Sequence, residues 1–200
     1  GVGTDAQLVF EAIAFDADFK RRIVAHAAAL TGLPNPASGE QLKRWIEQQE
    51  GFFPTSITKD NLPELMTQVQ RPEVKEMLHL KQLMSKTSVK KYEAMRRARC
   101  IDGRVHGLLQ FYGANRTGRW AGRLVQVQNL PRNSMAELDD ARALLRSGDT
   151  DAIEMIYAHP LDVLSQLIRT AFVPRDGYRF MVADFSAIEA RVIAWLAGEK

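Results

Sequence analysis

The segment 178–191 constrains the fold of this chain most strongly, because its apolar pattern changes period at one point. Residues 180–183 form a short continuous apolar run, which is typical of a strand covered on both faces. From Ala187 onward, apolar residues recur at intervals of three and four, which predicts an amphipathic helix that ends near Gly198. Asp184 therefore lies where a strand passes directly into a helix, and this position suits a carboxylate ligand of Mg²⁺.

The same segment also fits a purely structural interpretation. Ser186 and Glu189 have the spacing of a capping box, in which two side chains satisfy backbone N–H groups at the start of a helix. In that interpretation Asp184 only helps the helix to begin. The residues alone leave both interpretations open.

Positive charge is concentrated in the middle of the chain. Residues 81–132 contain 12 Lys or Arg and two acidic residues, whereas the segments on either side are slightly acidic. Acidic partners at i,i+4, which would neutralise a solvated helical face, are nearly absent from this block. Such a distribution is the electrostatic signature of a protein that binds a phosphate backbone.

The periodicity predicts an α+β fold that is mostly helical. Helices are predicted at residues 5–14, 16–30, 38–49, 61–69, 72–99 and 134–146, near residue 151, and from residue 160. Ser38 and Ser134 are predicted to begin two of these helices as capping boxes, and Gly148 is predicted to end the helix at 134–146. Residues 105–112 and 120–127 are predicted to form the two arms of a β-hairpin, because branched and aromatic residues are flanked there by turn signals. Several polar side chains are therefore expected on or beside this hairpin, which follows the helix predicted at residues 72–99.

Two motifs resemble those of the family A DNA polymerases. Residues 184–191, Asp-Phe-Ser-Ala-Ile-Glu-Ala-Arg, resemble motif A of that family, whose usual form is Asp-Tyr-Ser-x-Ile-Glu-x-Arg. Residues 117–131 resemble the segment of that family that begins with Thr-Gly-Arg and ends with Leu-Gln-Asn-Ile-Pro, and the spacing between the two ends is the same. Fainter resemblance covers most of the chain and is strongest to the phage and prophage branch of the family.

The resemblance implies where this chain belongs in a larger protein. Residues 1–100 are expected to form a thumb-like helical region, and residues 101–200 are expected to form part of a palm with a hairpin, a helical insert and motif A. The fingers and the rest of the palm would belong to a longer parent chain, of which this sequence is expected to be a piece. A cytoplasmic parent is expected, because the single Cys100 excludes an internal disulfide and no apolar run approaches 18 residues.

The resemblance also implies a function, which is template-directed DNA synthesis by the parent. The parent would add dNTP units to a primer 3′-hydroxyl with two Mg²⁺ ions, held by Asp184 and the backbone carbonyl of Phe185. Glu189 is the second expected catalytic residue and would exclude ribonucleotides below the sugar 2′ position. The residues expected to bind the primer–template duplex are Lys86, Arg119, Gln126, Gln128 and Asn129.

Three further expectations complete the interpretation. Arg191 is expected to pair with a carboxylate, and Cys100 is expected to be inert because nothing in the sequence places a base beside it. The piece alone is expected to be inactive, since only one metal carboxylate is present. The alternatives are a non-catalytic module that binds double-stranded DNA, and a helical interaction domain in which Asp184 and Glu189 are only caps.

Overall fold

The computed structural model describes residues 1–199 and has the predicted α+β, mostly helical architecture. The helices are α1 (Ala6–Thr31), α2 (Gly39–Glu50), α3 (Leu62–Gln68), α4 (Pro72–Met84), α5 (Val89–Ala98), α6 (Leu138–Ser147), α7 (Thr150–Ile156), α8 (Pro160–Leu167) and α9 (Ile188–Leu196). The strands are β1 (Val2–Thr4), β2 (Arg104–Val105), β3 (Leu109–Ala114), β4 (Arg119–Gly122) and β5 (Phe172–Val173). None of the helices in residues 1–199 combines the length and the apolar character that a membrane-spanning helix requires.

Helix α1 is the central element of the fold. It is one continuous helix of 26 residues where the sequence predicted two, because no Gly or Pro interrupts it. Asp5 caps its start by accepting a hydrogen bond from the backbone N–H of Leu8, and Gly32 ends it in the left-handed conformation. At 1.5 Å per residue the helix is about 39 Å long, which is enough to border two separate hydrophobic clusters.

The two clusters pack against opposite halves of α1. The first cluster combines residues of the first half of α1 with residues of α5, α6 and α8, and its fully buried members include Tyr92, Met95, Leu145 and Leu164. The second cluster combines residues of the second half of α1 with residues of α2, α3 and α4, and its fully buried members include Leu42, Ile46, Met77 and Leu78. The helical part of the fold is therefore organised around one shared helix.

The single long helix predicted for residues 72–99 is wrong, because the chain breaks into α4 and α5 at Ser85–Ser88. The Ser85 hydroxyl donates to the carbonyl of Gln82 at 2.7 Å, and Lys20 Nζ donates to the carbonyl of Lys86 at 2.8 Å. Side chains therefore take backbone acceptors that a continuing helix would use, which favours a turn at this point.

Two small antiparallel sheets support the second half of the chain. The strand order of the first sheet is β2-β1-β5, with Val2 opposite Val105 and Gly3 opposite Val173. The second sheet is the predicted hairpin of β3 and β4, which is shorter than expected and has an irregular register between Gln110 and Ala114. The second arm, predicted to reach residue 127, ends at Gly122, and Val127–Asn129 form a 3₁₀ turn beyond the hairpin.

The acidic segment after the hairpin forms three short helices. Helix α6 ends at Gly148 as predicted, but it begins at Leu138 without a side-chain cap. The capping box predicted at Ser134 is not formed, because the backbone N–H of Ser134 donates to Gln166 Oε1 at 2.7 Å. A contact with α8 therefore replaces the local cap.

The strand predicted over residues 180–183 is not present. Residues 178–187 contain neither helix nor strand, and Met181 and Val182 are 81% and 92% exposed. A strand needs a neighbour that accepts its hydrogen bonds, and none of the strands in residues 1–199 pairs with this segment. The capping box is also absent, because α9 begins after Ala187, whose φ is 52° and which provides no side-chain cap.

Candidate functional site

The segment after the hairpin presents three polar side chains from an anchored backbone. Val125 is fully buried and Leu130 is 6% exposed, so both ends of the segment are fixed in the core. Between them, the side chains of Gln126, Gln128 and Asn129 face solvent. Three of the five candidate duplex-binding residues therefore lie together on one short surface segment.

Two basic residues hold the backbone of this segment in place. Lys91 Nζ donates to the carbonyl of Val125 at 2.8 Å. The guanidinium of Arg169 donates to the carbonyls of Pro131 and Leu130 at 2.7 and 2.8 Å. These charge-assisted hydrogen bonds are stronger than neutral ones, so they stabilise the segment. Nothing in the sequence predicted these two roles, because each depends on a tertiary contact.

Gln128 packs directly over the hairpin. A Cβ atom placed on Gly122 would lie 1.7 Å from Gln128 Oε1, so any larger residue at Gly122 would displace the carboxamide. The preceding Gln126 adopts a left-handed φ of 55°, which is uncommon for a residue other than glycine. The turn that follows the hairpin is therefore defined both by packing and by backbone conformation.

An ion pair joins the hairpin to α9. Arg119 Nη2 at the start of β4 lies 2.7 Å from Glu189 Oε1 in the first turn of α9. Both side chains are more than 70% exposed, so the pair contributes at most about 1 kcal/mol to stability. Its structural consequence is that two candidate residues that are 70 positions apart in the sequence come into contact.

Within residues 1–199, Arg191 pairs with no carboxylate, and its Nε instead donates to the carbonyl of Ser186 at 2.7 Å. This hydrogen bond closes the loop that precedes α9 onto the helix. It holds the backbone immediately after Asp184 and Phe185 against the first turns of α9.

Asp184 and Phe185 offer oxygen atoms to solvent. Both residues are exposed, and the Asp184 carboxylate forms no ion pair or hydrogen bond with the part of the chain that the structure describes. Carboxylate and backbone carbonyl oxygens are the hard ligands that Mg²⁺ prefers, and Mg²⁺ needs only one or two protein carboxylates. The two residues therefore fit a magnesium site in chemical type and in accessibility.

Lys86 lies apart from these residues, in a polar groove between the α4–α5 turn and α8. The groove has a volume of about 470 Å³, and its lining includes Lys59, Lys91 and Asn129. Lys86 Nζ contacts Asp162 Oδ1 at 2.5 Å across the groove. Lys86 and Asn129, both candidate duplex-binding residues, therefore share one concave surface.

Residues 180–196 carry a large uncovered apolar surface. Helix α9 has no buried residue, and Trp195 and Leu196 are 74% and 72% exposed. The surface also includes Phe180 and Met181 in the preceding loop, which are 49% and 81% exposed. Large exposed apolar patches mark contacts with protein or membrane, or grooves that bind a ligand.

A second polar cluster lies at the turn before the hairpin and corrects the reason given for the expected inertness of Cys100, which itself stays a prediction. The ligand atoms of Cys100, Asp102 and His106 lie within 4.8 Å of one another, so ionisable groups do stand beside the thiol. His106 Nε2 is 2.8 Å from Asp102 Oδ2, and this hydrogen bond lowers the pKa of the Asp102 carboxyl. The imidazole and the carboxylate are thus already paired with each other.

Comparison with known proteins gives one clear similarity. Over 200 residues, the whole of this chain is 57% identical to the DNA polymerase of Bacillus phage SP02. The chain spans 31% of the length of that protein. No protein-family model matches the chain, and no solved structure matches it. The chain is therefore similar along its entire length to one part of a phage DNA polymerase.

Proposed function

We propose that this chain is the primer–template-binding part of a DNA polymerase, with residues 1–100 as the thumb and residues 101–200 as part of the palm. The observation that carries this proposal is the 57% identity to a phage DNA polymerase, which extends over the whole chain without a gap in coverage. The two polymerase-like motifs at 117–131 and 184–191 support the assignment to family A, because they occur in the expected order.

Duplex binding in this proposal combines charge with a few side-chain donors. The basic block at residues 81–132 provides contacts to phosphate, which carry no sequence information. Arg119, Gln128 and Asn129 provide donors for the minor groove near the primer terminus, where every base pair presents an acceptor. Gln126 and Lys86 add contacts on either side. A polymerase must copy any sequence, and these contacts are independent of sequence.

Catalysis in this proposal is nucleotidyl transfer from a dNTP to the primer 3′-hydroxyl. Asp184 and the carbonyl of Phe185 would hold Mg²⁺, together with a second carboxylate from the rest of the parent. When bound, a pair of such ions supplies Lewis-acid activation of the hydroxyl and neutralises the developing charge on the phosphates. Glu189 lies in the first turn of α9, where its side chain would close the space below the sugar 2′ position and exclude ribonucleotides.

The exposed apolar surface of α9 and of residues 178–187 is the proposed contact with the rest of the palm. The apolar run at 180–183 has the composition of a buried strand but has no partner among residues 1–199. A neighbouring strand in the parent would supply the missing hydrogen bonds and cover the exposed side chains. This arrangement also explains why the chain alone should not synthesise DNA.

A non-catalytic module that binds double-stranded DNA is the second candidate. One observation favours it: the basic groove around Lys86 is formed entirely by residues of this chain. The proposed catalytic site, in contrast, has a single candidate metal carboxylate in residues 1–199. The two candidates differ in whether the parent extends a primer.

Primer extension by the full-length parent separates the two candidates. With a primer–template duplex and Mg²⁺, the wild type should extend the primer with dNTPs and reject rNTPs. Glu189→Ala should incorporate rNTPs more readily, while Glu199→Ala, which removes an exposed acidic side chain beyond α9, should behave like the wild type. Duplex binding without any extension would support the non-catalytic module instead.

A further inference from the structure

We propose that Asp162 is an internal competitor of the DNA backbone for Lys86. The Asp162 carboxylate pairs with the Lys86 ammonium group until a phosphate of the duplex replaces it. This inference rests on the proposed function, because it requires that the chain binds duplex DNA. It assigns a role to an acidic residue on α8 that lies outside both polymerase-like motifs.

The contact between the two residues is short but accessible. Lys86 Nζ lies 2.5 Å from Asp162 Oδ1, and the two side chains are 29% and 50% exposed. The residues are 76 positions apart, so the pair forms only because the α4–α5 turn packs against α8. Partial exposure matters, because another anion can approach the ammonium group from solvent without any change in the core.

The surroundings of the pair suit a phosphate better than a carboxylate alone. The groove is lined by Lys59 and Lys91 and by the hydroxyl-bearing residues Thr87 and Ser88. Asp162 is the one acidic residue among the described residues that line it. Phosphate oxygens accept the same short, charge-assisted hydrogen bonds from an ammonium group as a carboxylate does. The Asp162 carboxylate therefore lies at a position in the groove where the surrounding positive charge favours an anion.

The backbone of Lys86 is fixed independently of its side chain. Lys20 Nζ donates to the carbonyl of Lys86 at 2.8 Å, and the same ammonium group lies 3.0 Å from the buried carboxylate of Asp16. The turn can thus stay in place while the Lys86 side chain exchanges one anion for another. Binding of the duplex thus replaces the Lys86–Asp162 pair by a Lys86–phosphate pair. Because one ion pair is lost as the other forms, this contact adds little net affinity, and the duplex stays free to advance.

Asn129 connects this groove to the segment that follows the hairpin. It lines the same groove as Lys86 and Asp162, and it is one of the candidate donors to the minor groove. A duplex that contacts Asn129 would pass close to Lys86, so its backbone would meet the pair. The competitor therefore acts on the same bound duplex as the polymerase-like motifs.

The test is a double-mutant cycle on duplex affinity in the full-length parent. Fluorescence anisotropy of a fluorescein-labelled primer–template duplex is measured at several salt concentrations for wild type, Asp162→Asn, Lys86→Gln and the double variant. Asp139→Asn, an exposed carboxylate on α6, is the matched control for loss of one negative charge. Circular dichroism checks that every variant is folded.

Removal of the competitor should tighten binding. Asp162→Asn should bind roughly two- to fivefold more tightly, the factor expected for loss of one partly exposed ion pair. Lys86→Gln should weaken binding and lower the slope of log affinity against log salt by about one. In the Lys86→Gln background, Asp162→Asn should have no further effect, and Asp139→Asn should leave affinity nearly unchanged.

Three results would overturn the inference, and only the last of them also removes the proposed function. If the parent binds and extends the duplex but Asp162→Asn binds no more tightly than Asp139→Asn, Asp162 is not a competitor while the polymerase assignment stands. An equal gain from Asp162→Asn with and without Lys86 has the same meaning. If no form binds the duplex, the inference and the proposed function fail together.

Discussion

Among the polar side chains, that of Asp5 is the one whose removal should most clearly destabilise the fold. Its Oδ1 accepts the hydrogen bond from Leu8 N that caps α1, at 3.1 Å. Its Oδ2 accepts from Arg142 Nη2 at 2.5 Å and from Arg146 Nε at 3.0 Å. The carboxylate is 9% exposed. One side chain therefore begins the central helix and fastens α6 to it.

The expected cost follows from these three contacts. Loss of an N-cap costs about 1 kcal/mol, and loss of a part-buried charged hydrogen bond, as with Arg142, costs about 1.5–3 kcal/mol. The more exposed Arg146 adds at most about 1 kcal/mol. Asp5→Ala should therefore lower the free energy of unfolding by about 3–4 kcal/mol. Asp5→Asn keeps a capping oxygen and should lose about 1 kcal/mol less.

Urea and thermal unfolding followed by circular dichroism measure this cost. A loss of 3 kcal/mol corresponds to a decrease in Tm of roughly 6–12 °C for a chain of this size. Asp18→Ala is the matched control, because Asp18 lies on the same helix and, within residues 1–199, pairs only with the exposed Arg21 and Arg22. Its loss should cost well under about 1 kcal/mol. If Asp5→Ala costs no more than Asp18→Ala, the capping and docking role derived for Asp5 is wrong.

Three further predictions test other parts of the structure. Burial raises the pKa of the Asp16 carboxyl despite the ion pair with Lys20, so the ionised form of Asp16 destabilises the fold. As the pH rises from below 3.8 to 7, the wild type should therefore lose stability relative to Asp16→Asn, and a Tm difference between the two that is independent of pH would contradict this. Gly122→Ala should displace Gln128 and weaken duplex binding as much as Gln128→Ala does; if the two losses simply add in the double variant, the packing account fails. Tyr92→Phe removes the hydroxyl that donates to a buried backbone carbonyl at 2.6 Å and should cost about 1–2 kcal/mol in urea unfolding; a cost no larger than that of the exposed Tyr178→Phe would refute the importance of that bond.

Local signals in the sequence predicted local structure well. The Ser38 cap is present, because its hydroxyl accepts from the N–H of Gln41, and the helix that it starts ends at Gly51. Gly148 also ends α6 as predicted. These features depend on residues within one or two helical turns of each other, so short-range physical chemistry determines them.

The errors arise where distant contacts outweigh local preference. The helix predicted across 72–99 is interrupted at Ser85–Ser88, where Lys20 from α1 binds the turn. The strand predicted over 180–183 is absent, because a strand depends on its neighbours and the described residues supply none. Likewise, the anchoring of the candidate site by Arg169 joins residues almost forty positions apart, which no local pattern could predict.

The contacts of the candidate site could not be predicted from the sequence. The motif at 184–191 predicts Asp184 and Glu189 as site residues, whereas the pairing of Glu189 with Arg119 appears only in three dimensions. The same holds for Lys86, which the sequence placed in a basic block and which the structure pairs with Asp162. Residue identity thus indicated the chemistry, whereas the fold determines which groups are available for it.

The most direct test of the central proposal is the rate of primer extension by the full-length parent with Asp184→Ala. Loss of a metal ligand removes several kcal/mol of transition-state stabilisation, so synthesis with dNTPs should fall by roughly three orders of magnitude. Asp176→Ala, which removes an exposed carboxylate eight positions earlier in the sequence, should retain near-normal synthesis. Extension by Asp184→Ala at a rate close to that of Asp176→Ala would contradict the assignment of Asp184 as the catalytic metal ligand and return it to the role of a helix-start residue.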